Sequence, residues 1–213
     1  MEFIDEKIEQ YALNHSNEEI EVLRLLNRET HAKVMQPRML SGHMQGLFLS
    51  MISKMCKPNS ILEIGTYTGY SAISLAQGLS QNGKLITIDV NEELEKMVRN
   101  YIKEANLEDK IDYILGDAMK ILPTLDKMFD IVFIDADKKN YSNYYDLIFD
   151  KVNVGGYIIA DNVLWSGKVV DLEKNKDSDT LLIDAFNKKV HNDHRVEHLL
   201  LPLRDGLMIA RKK

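Results

Sequence analysis

The sequence predicts an α/β fold built on a doubly wound, seven-stranded sheet, mostly parallel, with a C-terminal antiparallel hairpin and helices ahead of it. Three observations carry this. Short apolar runs alternate with helical patterns from residue 60 to residue 160, as parallel strands and crossover helices require. The first run enters a turn, Gly65-Thr66-Tyr67-Thr68-Gly69, and then a helix, which is how open α/β sheets build a ligand cradle at their carboxyl edge. Two strand-like runs, 196–201 and 207–211, flank Pro202-Leu203-Arg204-Asp205-Gly206 and suit an edge hairpin.

The elements follow in order. Ile4, Ile8, Tyr11 and Ala12 recur at helical spacing. Ser16-Asn17-Glu18-Glu19 reads as a cap for a second helix carrying Ile20, Leu23, Leu26 and Val34, which Pro37 ends. These helices either pack and dimerise or form a lid over the ligand, and packing is the favoured reading. A third helix covers 43–56, closed by Lys57-Pro58-Asn59. Strands are predicted at 60–64, 84–89, 111–115, 130–135 and 155–160, with helices near 69–80, 92–106, 117–124, 141–151 and 179–191. The segment 162–178 is polar, and its charge run from Asp171 to Asp177 reads as a solvated loop.

The 213 residues, 45% hydrophobic and 28% charged, fit one domain: N-terminal helices over 1–57 and the sheet core over 58–213. A formal net charge of -6 removes any bulk electrostatic case for nucleic acid. The start, Met1-Glu2-Phe3-Ile4-Asp5-Glu6, is acidic rather than signal-like, and no window approaches the roughly 18 apolar residues of a membrane span. The single cysteine, Cys56, reads as buried core and suits a reducing compartment, so a cytoplasmic protein is expected.

The candidate chemistry sits at the strand ends. The first turn has only two glycines, Gly65 and Gly69, with Tyr67 where a dinucleotide fingerprint puts its second, and it lacks the lysine of a phosphate loop. Phosphate ligands are therefore disfavoured there. Glu63, just before it, suits a cationic amino-acid group, or is simply an acid on the loop rim. Asp89, ending the second strand, can accept from both hydroxyls of a ribose, and Gly116-Asp117-Ala118 after the third can hold an adenine. Asp135-Ala136-Asp137-Lys138 and Asp161-Asn162 end the fourth and fifth strands, about 5 Å apart if neighbours. Asp135, Asp161 and Asn162 offer three oxygens, which suits a hard cation such as Mg²⁺; the alternative is an acidic rim capping helix N-termini. Beside a dication the ammonium form of Lys138 is disfavoured, which fits it for a general base.

Taken together, Glu63-Ile64-Gly65-Thr66-Tyr67-Thr68-Gly69-Tyr70-Ser71, Ile134-Asp135-Ala136-Asp137-Lys138-Lys139-Asn140-Tyr141, Gly155-Gly156, Asp161-Asn162-Val163-Leu164-Trp165-Ser166-Gly167 and Leu201-Pro202-Leu203-Arg204-Asp205-Gly206-Leu207 resemble a known family. It is the class I S-adenosylmethionine-dependent O-methyltransferases of the catechol and caffeoyl-CoA type, and the resemblance spans roughly residues 35 to 213. It implies a Rossmann-like fold. It also implies donor contacts from Met39, Ser41, Glu63 (the amino group), Gly65, Thr66, Tyr67, Ser71 (the carboxylate), Asp89 (the ribose), Asp117, Ala118 and Asp135. Asp135, Asp161 and Asn162 match the metal ligands, with Mg²⁺ expected ahead of Mn²⁺ or Ca²⁺. Lys138 matches the catalytic base, acting with Asp135, and Trp165 the aromatic wall of the acceptor pocket, with core packing the less favoured reading of Trp165.

The acceptor implied is a small aromatic diol. Plant caffeoyl-CoA enzymes place tyrosines after the insertion loop, and Asp177-Ser178-Asp179-Thr180-Leu181-Leu182 has none, which favours a free catechol over a thioester. A tRNA 5-hydroxyuridine O-methyltransferase is the alternative, disfavoured by the acidic balance but kept by Lys138, Lys139, Lys168, Lys174 and Lys176. A non-catalytic S-adenosylmethionine-binding module would not need the metal set. A homodimer through the N-terminal helices is expected, and no membrane association.

Overall fold

Residues in the predicted inner strands are buried in unbroken runs, as strands covered on both faces should be. The computed structural model describes residues 4–213; the opening Met1-Glu2-Phe3 of the acidic N-terminus lies outside them. Two compact units, 4–117 and 118–213, hold three and four of the seven strands. No helix of the described residues is long and apolar enough to cross a membrane.

In residues 4–117, α1 (Glu6–Asn14), α2 (Glu21–Lys33) and α3 (Gly42–Cys56) precede β1 (Ser60–Ile64), α4 (Tyr70–Ala76), β2 (Lys84–Asp89), α5 (Glu95–Glu104) and β3 (Ile111–Leu115). The strand order is β3-β2-β1, all parallel, and Glu63 lies in register with Thr87. Helix α4 is buried along its whole length and packs on α3. α1 buries none of its residues, leaving Ile8 and Tyr11 exposed.

Two local expectations fail here. Helix α2 stops at Lys33, with Val34 already extended, and Pro37 opens a separate 3-10 turn. Its N-cap is Ile20, without a side-chain bond, because Glu19 instead accepts from the buried Tyr70 hydroxyl. Cys56 is exposed rather than core. The buried stripe of α3 runs through Gln45, Gly46, Leu49, Ser50 and Ser53, but Lys57 turns left-handed at φ +48° and ends the helix before Cys56 is covered.

In residues 118–213, α6 (Ala118–Ile121), β4 (Phe129–Ile134), α7 (Tyr141–Phe149), β5 (Val152–Asp161), α8 (Ser178–His191), β6 (Val196–Leu201) and β7 (Leu207–Lys212) follow. The order is β4-β5-β7-β6, with β4 and β5 parallel and the hairpin β6-β7 antiparallel to β5 through β7. Strand β5 begins earlier than predicted because it bulges. Phe129 pairs with Val152 but Ile131 with Tyr157, so five steps of β5 face two of β4. Gly155, at φ +82°, and Gly156, where a Cβ would stand 2.9 Å from the carbonyl oxygens of Asn153 and Asp130, permit that detour.

Candidate active site

The donor-type residues of the first unit are organised by β2. Gly65 (φ +97°) and Gly69 (φ +94°) bracket the turn that leads from β1 into α4. Asp89 clamps that turn: Oδ2 accepts from the backbone N–H of Thr66 (2.9 Å) and Tyr67 (2.7 Å), and Oδ1 from Asn91 N–H (2.9 Å). Two residues earlier on the same face, Thr87 donates to Glu63 Oε2 at 2.5 Å and meets the Thr66 hydroxyl at 2.5 Å. Glu63 and Thr87 are 0% exposed and Thr66 is 1% exposed. Ser71 is buried in the first turn of α4.

Tyr67, left-handed at φ +52°, sends its hydroxyl to the Gln36 carbonyl at 2.9 Å, which ties the 34–41 segment to the turn; burial pushes its phenol up. That segment carries Met39, 57% exposed, and buried Ser41 just ahead of α3. Asp117 ends the unit, one residue after Gly116 N–H bonds the Asp89 carbonyl at 2.7 Å. Ala118 is buried at the start of α6, in the second unit. Sequence reasoning found Asp89 but gave it only a ribose, and it missed Thr87. The readable sign was that Glu63 and Thr87 each stand fourth in their strands, Ser60–Ile64 and Lys84–Asp89.

In the second unit, Ile134 pairs with Ala160, so Asp135 and Asp161 leave neighbouring parallel strands at the same level. Lys138, in a 3-10 turn (Lys138–Asn140) before α7, points back to them. Its ammonium donates to Asp135 Oδ1 (3.2 Å), Asn162 Oδ1 (2.8 Å) and the Tyr141 hydroxyl (2.5 Å). Asp161, nearly buried, accepts from the Asn162 backbone N–H at 2.7 Å and fixes that residue at φ +58°. Tyr141 is fully buried, donates on to the Asp161 carbonyl at 3.0 Å, and has its phenol pushed well up by burial and then by Asp135 and Asp161. It is a member of the site without a predicted role, three residues after Lys138 and so on the same face of that turn.

The Lys138 ammonium lies 4.6 Å from the Tyr141 ring centre and 5.9 Å from that of Trp165. Trp165 is half-buried, and its indole N–H is buried without a partner among the described residues. The backbone there is strained, with Trp165 at φ +49° and Ser166 at φ +55°. Asp205, from the β6-β7 turn, accepts from Ser166 N–H at 2.5 Å while its carbonyl takes Leu164 N–H at 2.8 Å. Burial pushes the Asp205 carboxyl up against that bond. Asp137 is spent on structure, accepting from the Tyr144 hydroxyl (2.5 Å) and Asn140 (2.7 Å).

Among the described residues no three histidine, cysteine, aspartate or glutamate side chains cluster as metal ligands. The expected set differs in having an amide oxygen as its third member. Its chemistry fits a hard cation: Asp135 and Asn162 already turn oxygens toward one positive charge, the Lys138 ammonium.

Comparison with known proteins agrees with these motifs. A family model described as O-methyltransferase matches residues 13–213. A caffeoyl-CoA O-methyltransferase of Medicago sativa is 37% identical over 199 residues, spanning 87% of this chain and 79% of the relative. A flavonoid 3',5'-methyltransferase of Vitis vinifera is 36% identical over 79% of this chain and 76% of its own. The crystal structure of an O-methyltransferase from Bacillus cereus in complex with SAH matches with a TM-score of 0.89 at 30% identity, covering 97% of each chain. The chain belongs to the S-adenosylmethionine-dependent O-methyltransferase family.

Proposed function

We propose that the protein methylates one hydroxyl of a small aromatic vicinal diol, with Lys138 and a divalent cation at the acceptor. The observation that supports this most directly is the Lys138 ammonium held by Asp135 Oδ1 and Asn162 Oδ1, a cation-binding group of oxygens with a titratable amine in it. A divalent cation held by Asp135, Asp161 and Asn162, Mg²⁺ ahead of Mn²⁺ or Ca²⁺, would act as a Lewis acid and ease loss of an acceptor proton. Beside that cation the neutral amine of Lys138 would take or share the proton, and Tyr141 and Asn162 orient it. Trp165 offers a ring face to the aromatic acceptor. Glu63, Gly65, Thr66, Tyr67, Ser71 and Asp89, with Met39, Ser41, Asp117, Ala118 and Asp135, bind the donor. Transfer neutralises charge, so the residues contribute chiefly by alignment and exclusion of water.

The tRNA reading is weaker than the lysine count suggests. Lys139, Lys168 and Lys174 each face a carboxylate, of Asp137, Asp177 and Asp171, and so bring little net positive charge. The exposed Ile8 and Tyr11 of α1 support a homodimer, and a cytoplasmic location suits a chain whose single cysteine can form no internal disulfide. Purified protein assayed with a catechol and with undermodified tRNA, each with and without excess EDTA, tests the proposal. Catechol methylation lost in EDTA and restored by Mg²⁺ is expected. Undiminished methylation in EDTA would remove the metal, and methylation of tRNA alone would replace the acceptor.

A further inference from the structure

We infer that Thr87 is a positioning residue for donor binding, locking the carboxylate of Glu63 in the orientation that receives the donor's amino group. The inference rests on the donor cradle proposed above. Glu63 and Thr87 are ladder partners on parallel strands, so their side chains stand side by side on one face of the sheet. Thr87 has one hydroxyl hydrogen, and it goes to Glu63 Oε2 at 2.5 Å. The contact with Thr66 Oγ1, also 2.5 Å, must therefore be donated by Thr66. The result is a directed chain, Thr66 to Thr87 to Glu63, in which each bond polarises the next toward the anion.

All three side chains are almost completely removed from water, so no solvent competes for these bonds. A carboxylate on two rotatable carbons would otherwise have several orientations to choose from. The same strand also holds the neighbouring turn, through Asp89 to the N–H groups of Thr66 and Tyr67. Thr87 and Asp89 thus secure two different parts of the cradle: Thr87 the charged side chain, Asp89 the backbone. Only the first should matter for the amino-acid end of a ligand.

Two ligands separate these effects. S-adenosylhomocysteine carries the amino-acid arm, whereas 5'-methylthioadenosine has the adenosine and sulfur without it. Calorimetric titration of Thr87→Val, which keeps the side chain's shape, should show S-adenosylhomocysteine binding weakened by roughly 10-fold or more, about 1.4 kcal/mol. Binding of 5'-methylthioadenosine should stay within about 2-fold, and Thr87→Ser should restore the wild-type pattern, on the expectation that charge-directed hydrogen bonds carry the difference. Equal weakening of both ligands in Thr87→Val would overturn the inference in favour of general damage to the sheet. So would unchanged S-adenosylhomocysteine binding. Glu63→Gln separates the two layers: if it discriminates between the ligands and Thr87→Val does not, only the role of Thr87 falls; if Glu63→Gln does not discriminate, the reading of the cradle falls with it.

Discussion

Lys138 Nζ donates to Asn162 Oδ1 at 2.8 Å, joining a residue after β4 to one after β5. The same nitrogen reaches Asp135 and Tyr141, so the amine is held at three points before any substrate arrives. If this amine manages the acceptor proton, Lys138→Met should lower kcat by on the order of 10²- to 10⁴-fold, the usual contribution of a positioned acid or base. Affinity for S-adenosylhomocysteine should fall far less than kcat, because the amine is assigned to the acceptor proton and not to the donor. Initial rates and calorimetry on the same preparation check both, and a kcat within about 3-fold of wild type would remove Lys138 from the chemistry.

Asp89 has a structural duty that a ribose contact alone would not predict. It accepts three backbone N–H bonds, two from the turn after β1 and one, from Asn91, in the turn after β2 itself. Asp89→Ala should therefore destabilise the ligand-free protein by about 1.5–3 kcal/mol, the scale of hydrogen bonds to a charged group. Urea unfolding without ligand measures this. An unchanged midpoint would mean that the carboxylate serves only the ligand.

The strands were legible because their residues are apolar on both faces, and Ser60–Ile64, Lys84–Asp89 and Ile111–Leu115 match the predicted limits residue for residue. The sequence placed Asp135, Lys138 and Asn162 together for the same reason: residues just past parallel strand ends share an edge. What stayed hidden depends on contacts between distant residues. Glu19 was read as a cap, but its partner Tyr70 lies 51 positions away. Cys56 fits the period of a buried stripe that ends three residues before it, at Ser53. Tyr141 and Thr87 look like ordinary core residues until the polar groups they serve are in place.

The turn after α4 makes a demand that local sequence does not display. A Cβ on Gly78 would stand 2.1 Å from the Ser53 carbonyl carbon and 2.3 Å from the Lys54 nitrogen, both backbone atoms that cannot swing aside. Ser53 also sends its hydroxyl to the Leu75 carbonyl at 2.6 Å, which fixes α3 against this region. Gly78→Ala should cost about 1–3 kcal/mol or more through overpacking. Gly69→Ala, where the nearest atom would be 3.7 Å away, should be penalised by its φ of +94° rather than by contact. Equal urea midpoints for wild type and Gly78→Ala would show that α3 and the turn can separate freely.

Asp193 should make stability depend on pH in a defined direction. Arg195 donates to it twice, at 2.8 and 2.7 Å, and the Tyr145 hydroxyl donates at 3.0 Å. The Arg195 guanidinium, joined by its backbone N–H and by Tyr145, holds the carboxyl well below the usual aspartate range, against the opposing effect of burial. The Tyr145 phenol is pushed up in turn, by burial first and then by its bond to Asp193. A folded-state value below the unfolded one means that the stabilisation is complete above the unfolded aspartate value of about 3.9 and is lost as pH falls through the folded value. Asp193→Asn should therefore be less stable than wild type by about 1–3 kcal/mol at pH 7, with the gap steady down to about pH 5 and closing below about pH 4. Urea midpoints for both proteins across that range measure it. A gap of the same size at the lowest pH would show that shape at this corner of α7 and α8 matters, and not the charge of Asp193.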